Sequence, residues 1–186
     1  MKFSAIVDYK IGKFLIISVL IIHSCHNEEP DSYRVKNRSK LTAEEMKVPL
    51  MNANIIRVKA EDDAINAYIK RHNLKMEQSG TGLRYVIDQE GNGEKANKGK
   101  VAVIDYQLCL LDGTPCYSSK ETGLKEFIIG AGSVENGLDE GILLLKVGSK
   151  AKFILPSHLA FGLLGDGNKI PHYAILMYDL ELKGIK

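Results

Sequence analysis

Apolar and polar positions divide the chain into stretches of different character. Phe14 to Ile22 is an apolar run broken only by Ser18. Residues 26–41 are charged and polar with almost nothing to bury, which predicts a tether. Thr42-Ala43-Glu44-Glu45 has the spacing of a capping box, so a short helix is expected to start there. Pro49 either interrupts that helix or opens the next one as a first-turn residue. A clearer helix is predicted over residues 58–72, where Ile65, Tyr68, Ile69 and His72 recur at i, i+3, i+4 and i+7. Glu61, Asp62 and Asp63 lie early in it and Lys70 and Arg71 at its end, as the helix dipole favours. This reads as an amphipathic helix docked on the domain that follows.

From residue 82 the period changes to that of strands. Leu83 to Ile87 is a candidate strand, followed by a loop at Glu90-Gly91-Asn92-Gly93 that lacks any phosphate-binding pattern. Val101 to Leu111 is a second strand, and Asp112-Gly113 predicts a two-residue hairpin turn into Thr114 to Ser118. That turn would set Cys109 opposite Cys116; free thiols are the default for the pair, and export would permit a bridge. Phe127 to Ile129, Lys150 to Leu155 and Ala174 to Leu182 complete the strands, with one helix over residues 136–145 carrying Leu138, Ile142 and Leu145 on one face. The expected class is α+β, an antiparallel sheet curled around one short helix and preceded by a helical amino-terminal segment.

Composition and charge narrow the field. A chain of 186 residues that is 45% hydrophobic can bury a core, so disorder throughout is excluded. With 25 basic and 23 acidic side chains, the excess lies in the first 24 residues, where Lys2, Lys10 and Lys13 face only Asp8. Removing those leaves 22 of each sign, so no nucleic-acid partner is expected. The nine residues Phe14 to Ile22 would span roughly 14 Å as a helix, far short of a ~30 Å hydrocarbon core. They read as the hydrophobic part of a signal peptide. Ile22-His23-Ser24-Cys25 resembles the cleavage box of bacterial lipoproteins, and an acidic tract follows it. The expected organisation is a signal peptide over 1–24 and a lipid-anchored tether with a short helix over 25–57. An amphipathic helix and linker would cover 58–81, and the folded domain 82–186. Lipid on Cys25 would hold the protein to the outer membrane of a cell envelope.

The domain text has a recognisable order. It runs through Val103-Ile104-Asp105-Tyr106, Leu111-Asp112-Gly113, Ser118-Ser119, Phe127 to Gly130 and Gly137-Leu138-Asp139-Glu140-Gly141. Val147-Gly148, Leu159-Ala160-Phe161-Gly162, Ile170-Pro171 and Ala174 to Leu182 follow. In this order and spacing the chain resembles the FK506-binding-protein (FKBP) family of peptidyl-prolyl isomerases. With the lipobox and the preceding helix, it is similar to the gliding-motility-associated lipoprotein isomerases of Bacteroidetes.

That resemblance implies an enzyme without cofactor or metal, acting on proline-containing segments of exported proteins. The X–Pro bond crosses a barrier of ~18–20 kcal/mol set by amide resonance, and no covalent bond need be broken. A water-poor apolar pocket disfavours the charge-separated planar state, and donors placed for the twisted amide favour the transition state. Four residues take the implied catalytic positions: Tyr106 as aromatic wall, Glu135 through its backbone N–H, Phe161 for a loop tyrosine, and Tyr178 for a phenylalanine. The implied substrate-binding set is Cys116, Tyr117, Phe127, Val134, Leu138 and Ile170. Leu138 stands where a tryptophan floor is common, Cys116-Tyr117 where phenylalanine–aspartate is usual, Glu135 where isoleucine is usual, and Lys125 at an aromatic position. The expected cavity keeps an apolar wall but is looser than the family's, so weak catalysis is expected. The rival reading is an inactive binding module or a structural subunit of an envelope complex. Histidines at 23, 26, 72, 158 and 172 show no metal-ligand spacing.

Overall fold

The computed structural model describes residues 43–186. The expected signal peptide, Cys25 and most of the expected tether lie outside the described residues. Helix α1 (Ala43–Arg71) is followed by β1 (Glu77–Gln78), β2 (Arg84–Gln89), β3 (Val101–Leu110) and β4 (Pro115–Ser118). Then come α2 (Ser119–Thr122), β5 (Lys125–Ile128), α3 (Asn136–Ile142), β6 (Lys150–Leu155), a 3-10 turn at Ser157–Leu159, and β7 (Leu176–Ile185). All pairings are antiparallel, in the order β1-β2-β6-β7-β3-β4, with β5 also pairing β3. The α+β class, the curled sheet and the helical amino-terminal segment are as expected.

β3 is the organising strand. Its ten residues pair along their length with β7, while its two halves pair in turn with β5 (Val101–Ile104) and β4 (Gln107–Cys109). α3 lies against the sheet at close range, and its glycines explain how. A Cβ on Gly137 would sit 2.6 Å from Leu155, and one on Gly141 would sit 2.5 Å from the Phe153 ring, both on β6. Glycine four residues apart therefore gives α3 a flat face on which Leu138 and Ile142 bury completely beside Phe153 and Leu155. After Ile142 the chain tightens into i→i+3 bonds at Leu143, Leu144 and Leu145, so the helix ends three residues before the expected boundary.

Two local expectations need correction. α1 is one helix of 29 residues that runs through Pro49, so the short helix and the helix expected over 58–72 are continuous. Pro49 lacks the N–H that would reach residue 45 and crowds that carbonyl, but it is solvent-exposed, where water can take the freed oxygen. The hairpin turn has three residues rather than two. Gly113 (φ 89°) donates its N–H to the Leu110 carbonyl at 2.9 Å, and the Leu110 N–H donates to the Thr114 carbonyl at 2.9 Å. The extra residue shifts the register, with Leu108 opposite Tyr117 and Cys109 opposite Pro115. Cys109 and Cys116 are not a direct cross-strand pair, and both are free thiols.

Candidate prolyl site

Strands β3, β4, β5 and β7, helix α3 with the residues before it, and the loop between β6 and β7 supply the expected site residues. Tyr106 comes from β3, Cys116 and Tyr117 from β4, Lys125 and Phe127 from β5. Val134 and Glu135 precede α3, Leu138 lies in it, Phe161 and Ile170 belong to the loop between β6 and β7, and Tyr178 is on β7. The rings of Tyr106 and Tyr178 face each other with centroids 5.9 Å apart at 43°, a tilted aromatic wall. The Tyr106 hydroxyl reaches Thr122 Oγ1 at 3.3 Å, and its backbone N–H donates to Ser119 Oγ at 2.8 Å, so α2 fixes this side chain.

The depth of the site differs from the expected apolar hollow. Leu138 and Tyr178 are 0% and 1% exposed, and Cys116 and Ile170 are each 2% exposed, so the floor is sealed rather than open. What fills it is polar. The Tyr178 hydroxyl donates to Glu135 Oε1 at 2.9 Å. Lys125 Nζ stands 3.4 Å from Glu135 Oε2 and 3.5 Å from the Tyr178 hydroxyl, over both tyrosine rings at 5.7 and 5.9 Å. Burial, the nearby Glu135 charge and the hydrogen bond to it push the Tyr178 phenol well above its ordinary range. Lysine, glutamate and tyrosine at 125, 135 and 178, three separate departures from the family pattern, are thus one connected group. A carboxylate buried that deeply is stable there because both of its oxygens have partners.

A cleft opens beside this group. Its volume is about 250 Å³, between Lys125, Val134 and Glu135 on one side and Ala160 and Phe161 on the other. Tyr117 does not join the cluster; its hydroxyl donates to Asp166 and accepts from Asn168 Nδ2 at 3.3 Å. Burial pushes the Asp166 carboxyl up, but bonds from Tyr117 and from the N–H groups of Asn168 and Ile170 hold it below its ordinary range. Asp166 was missed in the sequence. The acidic group absent before Ser118-Ser119 has a counterpart on the facing loop, and only the aspartate among glycines at Gly165-Asp166-Gly167 hints at it. Phe127, opposite Ala102, is a core residue outside the polar group.

A profile described as "FKBP-type peptidyl-prolyl cis-trans isomerase" matches residues 92–183. FK506-binding protein 2 of Yarrowia lipolytica is 40% identical over 105 residues, covering 56% of this chain and 73% of that protein. The chain belongs to the FKBP-type peptidyl-prolyl cis-trans isomerase family. Members of this family are peptidyl-prolyl cis-trans isomerases. The FkpA isomerase of Aeromonas hydrophila is 33% identical over 163 residues, 80% of this chain. The chain spans only 59% of that protein and 46% of a probable FkpA of Neisseria meningitidis. Among solved structures, FkpA from Escherichia coli superposes with a TM-score of 0.61 at 27% identity, over 81% of this chain and 76% of that one. That coverage reaches beyond residues 92–183, so part of the segment before the matched domain shares the likeness. AtFKBP13 superposes with a TM-score of 0.58 at 31% identity, over 60% of this chain and 99% of its own.

Proposed function

We propose that this protein is a lipid-anchored peptidyl-prolyl cis-trans isomerase that assists the folding of exported proteins. The observation that supports the reading is the Tyr106–Tyr178 wall within an FKBP domain, joined to a cleft edged by Val134, Glu135 and Phe161 through Lys125, which lines that cleft and stands 5.7 and 5.9 Å from the two ring centres. A proline ring entering from that cleft would displace the Glu135 carboxylate from Tyr178 and rest against the two rings. The Glu135 backbone N–H would then be the donor for the carbonyl before proline. Rotation needs no nucleophile; each tenfold acceleration needs about 1.4 kcal/mol more stabilisation of the twisted amide than of the planar one.

The lipid on Cys25, the outer-membrane location and the kinship with gliding-motility lipoproteins rest on the leader and the box that ends it. Mass spectrometry of the membrane fraction should find acyl chains on Cys25; a soluble chain with an unmodified cysteine would remove the anchor from the proposal. A second reading is favoured by the Lys125–Glu135–Tyr178 group, which occupies the depth of the site and has to open first. In that reading the domain binds segments or serves an envelope complex without turning X–Pro bonds. A protease-coupled assay on X–Pro peptides separates the two, since the absence of any rate above background at high protein concentration leaves only the second.

A further inference from the structure

The loop between β6 and β7 carries Phe161 and Ile170, and α1 holds both of its ends. At the near end, Glu61 of α1 accepts from Ser157 twice, from the backbone N–H at 2.8 Å and from the hydroxyl at 2.6 Å. Both residues are buried, Glu61 at 7% and Ser157 at 4% exposed. At the far end, the Arg57 guanidinium lies 3.7 Å from the centre of the Tyr173 ring. Arg57 and Glu61 are four residues apart, so one face of one helix makes both contacts.

Between these ends the backbone is tied at Gly162, the residue after Phe161. The Ser157 carbonyl accepts from the N–H of Gly162 at 2.9 Å and of Ala160 at 3.1 Å, and the Gly162 carbonyl accepts from the N–H of Tyr173 at 2.8 Å. A closed path therefore runs Glu61, Ser157, Gly162, Tyr173, Arg57 and back along the helix. Tyr173 has φ 54°, a left-handed backbone that a bulky residue adopts only when its surroundings impose it. The face that makes these contacts is itself fixed by the fully buried Ile65 and by the pairing of Asp62 with Arg84.

We propose that Glu61 and Arg57 are positioning residues for the prolyl site, through which α1 sets the placement of Phe161 and hence the affinity for proline-containing segments. The inference rests on the site proposed above, and its test separates the two. Glu61→Ala, Glu61→Gln and Arg57→Ala are compared with the full chain by amide hydrogen exchange and by titration and turnover of one X–Pro peptide. Glu61→Ala should speed exchange at Gly162 and Tyr173 about tenfold or more while leaving the β3–β7 pairing protected. Its KM, or its Kd if the protein proves inactive, should rise by a similar factor with kcat changed less. Glu61→Gln, which keeps an acceptor for the Ser157 N–H, should recover much of both effects. Arg57→Ala should loosen Tyr173 more than Ala160. Unchanged exchange at Gly162, or loosening spread evenly over the sheet, would overturn the proposal whether or not the wild-type chain turns over substrate. Loop-confined loosening with unaltered peptide affinity would overturn it equally. An inactive wild type would defeat the isomerase reading alone, because exchange and affinity still decide the role of α1.

Discussion

Replacing Glu135 by leucine and Tyr178 by phenylalanine, singly and together, tests whether the polar group in the site is a single energetic unit. Tyr178 is 1% and Glu135 7% exposed, so neither partner can turn to water without moving. A hydrogen bond to a charged acceptor contributes about 1.5–3 kcal/mol, and a buried polar group left without its partner costs about 1–3 kcal/mol. Each single change should therefore lower stability by about 2 kcal/mol. In the double variant neither orphan remains, and Lys125, whose side chain is 29% exposed, can turn outward. The double loss should be about 2 kcal/mol rather than 4, a coupling of at least 1 kcal/mol. Urea unfolding of the four proteins at pH 7 measures this directly. The same double variant presents an all-apolar floor with no carboxylate to displace, so kcat/KM on an X–Pro peptide should rise about tenfold, equivalent to about 1.4 kcal/mol. Additivity within about 0.5 kcal/mol would show that the three side chains are not coupled. A double variant with coupling but no gain in peptide affinity would mean that proline enters elsewhere.

Other consequences are open to simpler measurements. Because the Tyr178 phenol is raised in the folded protein, it contributes stability that is intact below the ordinary phenol range and is lost as pH rises through it. The stability advantage of the wild type over Tyr178→Phe should therefore shrink as pH rises from neutral into the phenol range; a difference that stays constant with pH would contradict this. Gly141→Ala should lose about 2 kcal/mol although alanine favours helix by about 1, since the new carbon meets a fully buried Phe153 ring at 2.5 Å. A melting temperature at or above that of the wild type would refute the close approach of α3 to β6. In a Cys25→Ala chain, Cys109 should alkylate slowly and Cys116 only on unfolding, because burial raises both thiols above their ordinary range. A species without free thiols after purification would instead point to the bridge.

The regular parts of the domain were legible from local pattern because alternation and turn residues act within a few positions. Lys150 to Leu155 is found where it was expected, and Val101 to Leu110 within one residue. Two failures share a cause. Whether Asp112-Gly113 makes a two- or three-residue turn depends on which carbonyl Gly113 bonds, and that is decided by the strands it joins. Whether Pro49 ends a helix depends on whether the orphaned carbonyl is wet. At the site, the individual departures at 125, 135 and 178 were visible, but their complementarity was not. Residues 10 and 43 positions apart in sequence gave no sign that a lysine, a glutamate and a tyrosine converge. The same holds for Glu61 and Ser157, 96 residues apart, whose bond no spacing rule anticipates.

Both margins of the sheet are short and interrupted. One ends in the two polar residues of β1, and the other is shared by β4, which opens on Pro115, and β5, which opens on Lys125-Glu126. Long unpaired margins invite extended chains to add on as further strands. A domain whose work brings it among incompletely folded polypeptides would be lost to co-aggregation if it offered one. On the function proposed above, truncated, proline-bearing and charged borders would let it meet such chains through side chains at a cleft and then release them.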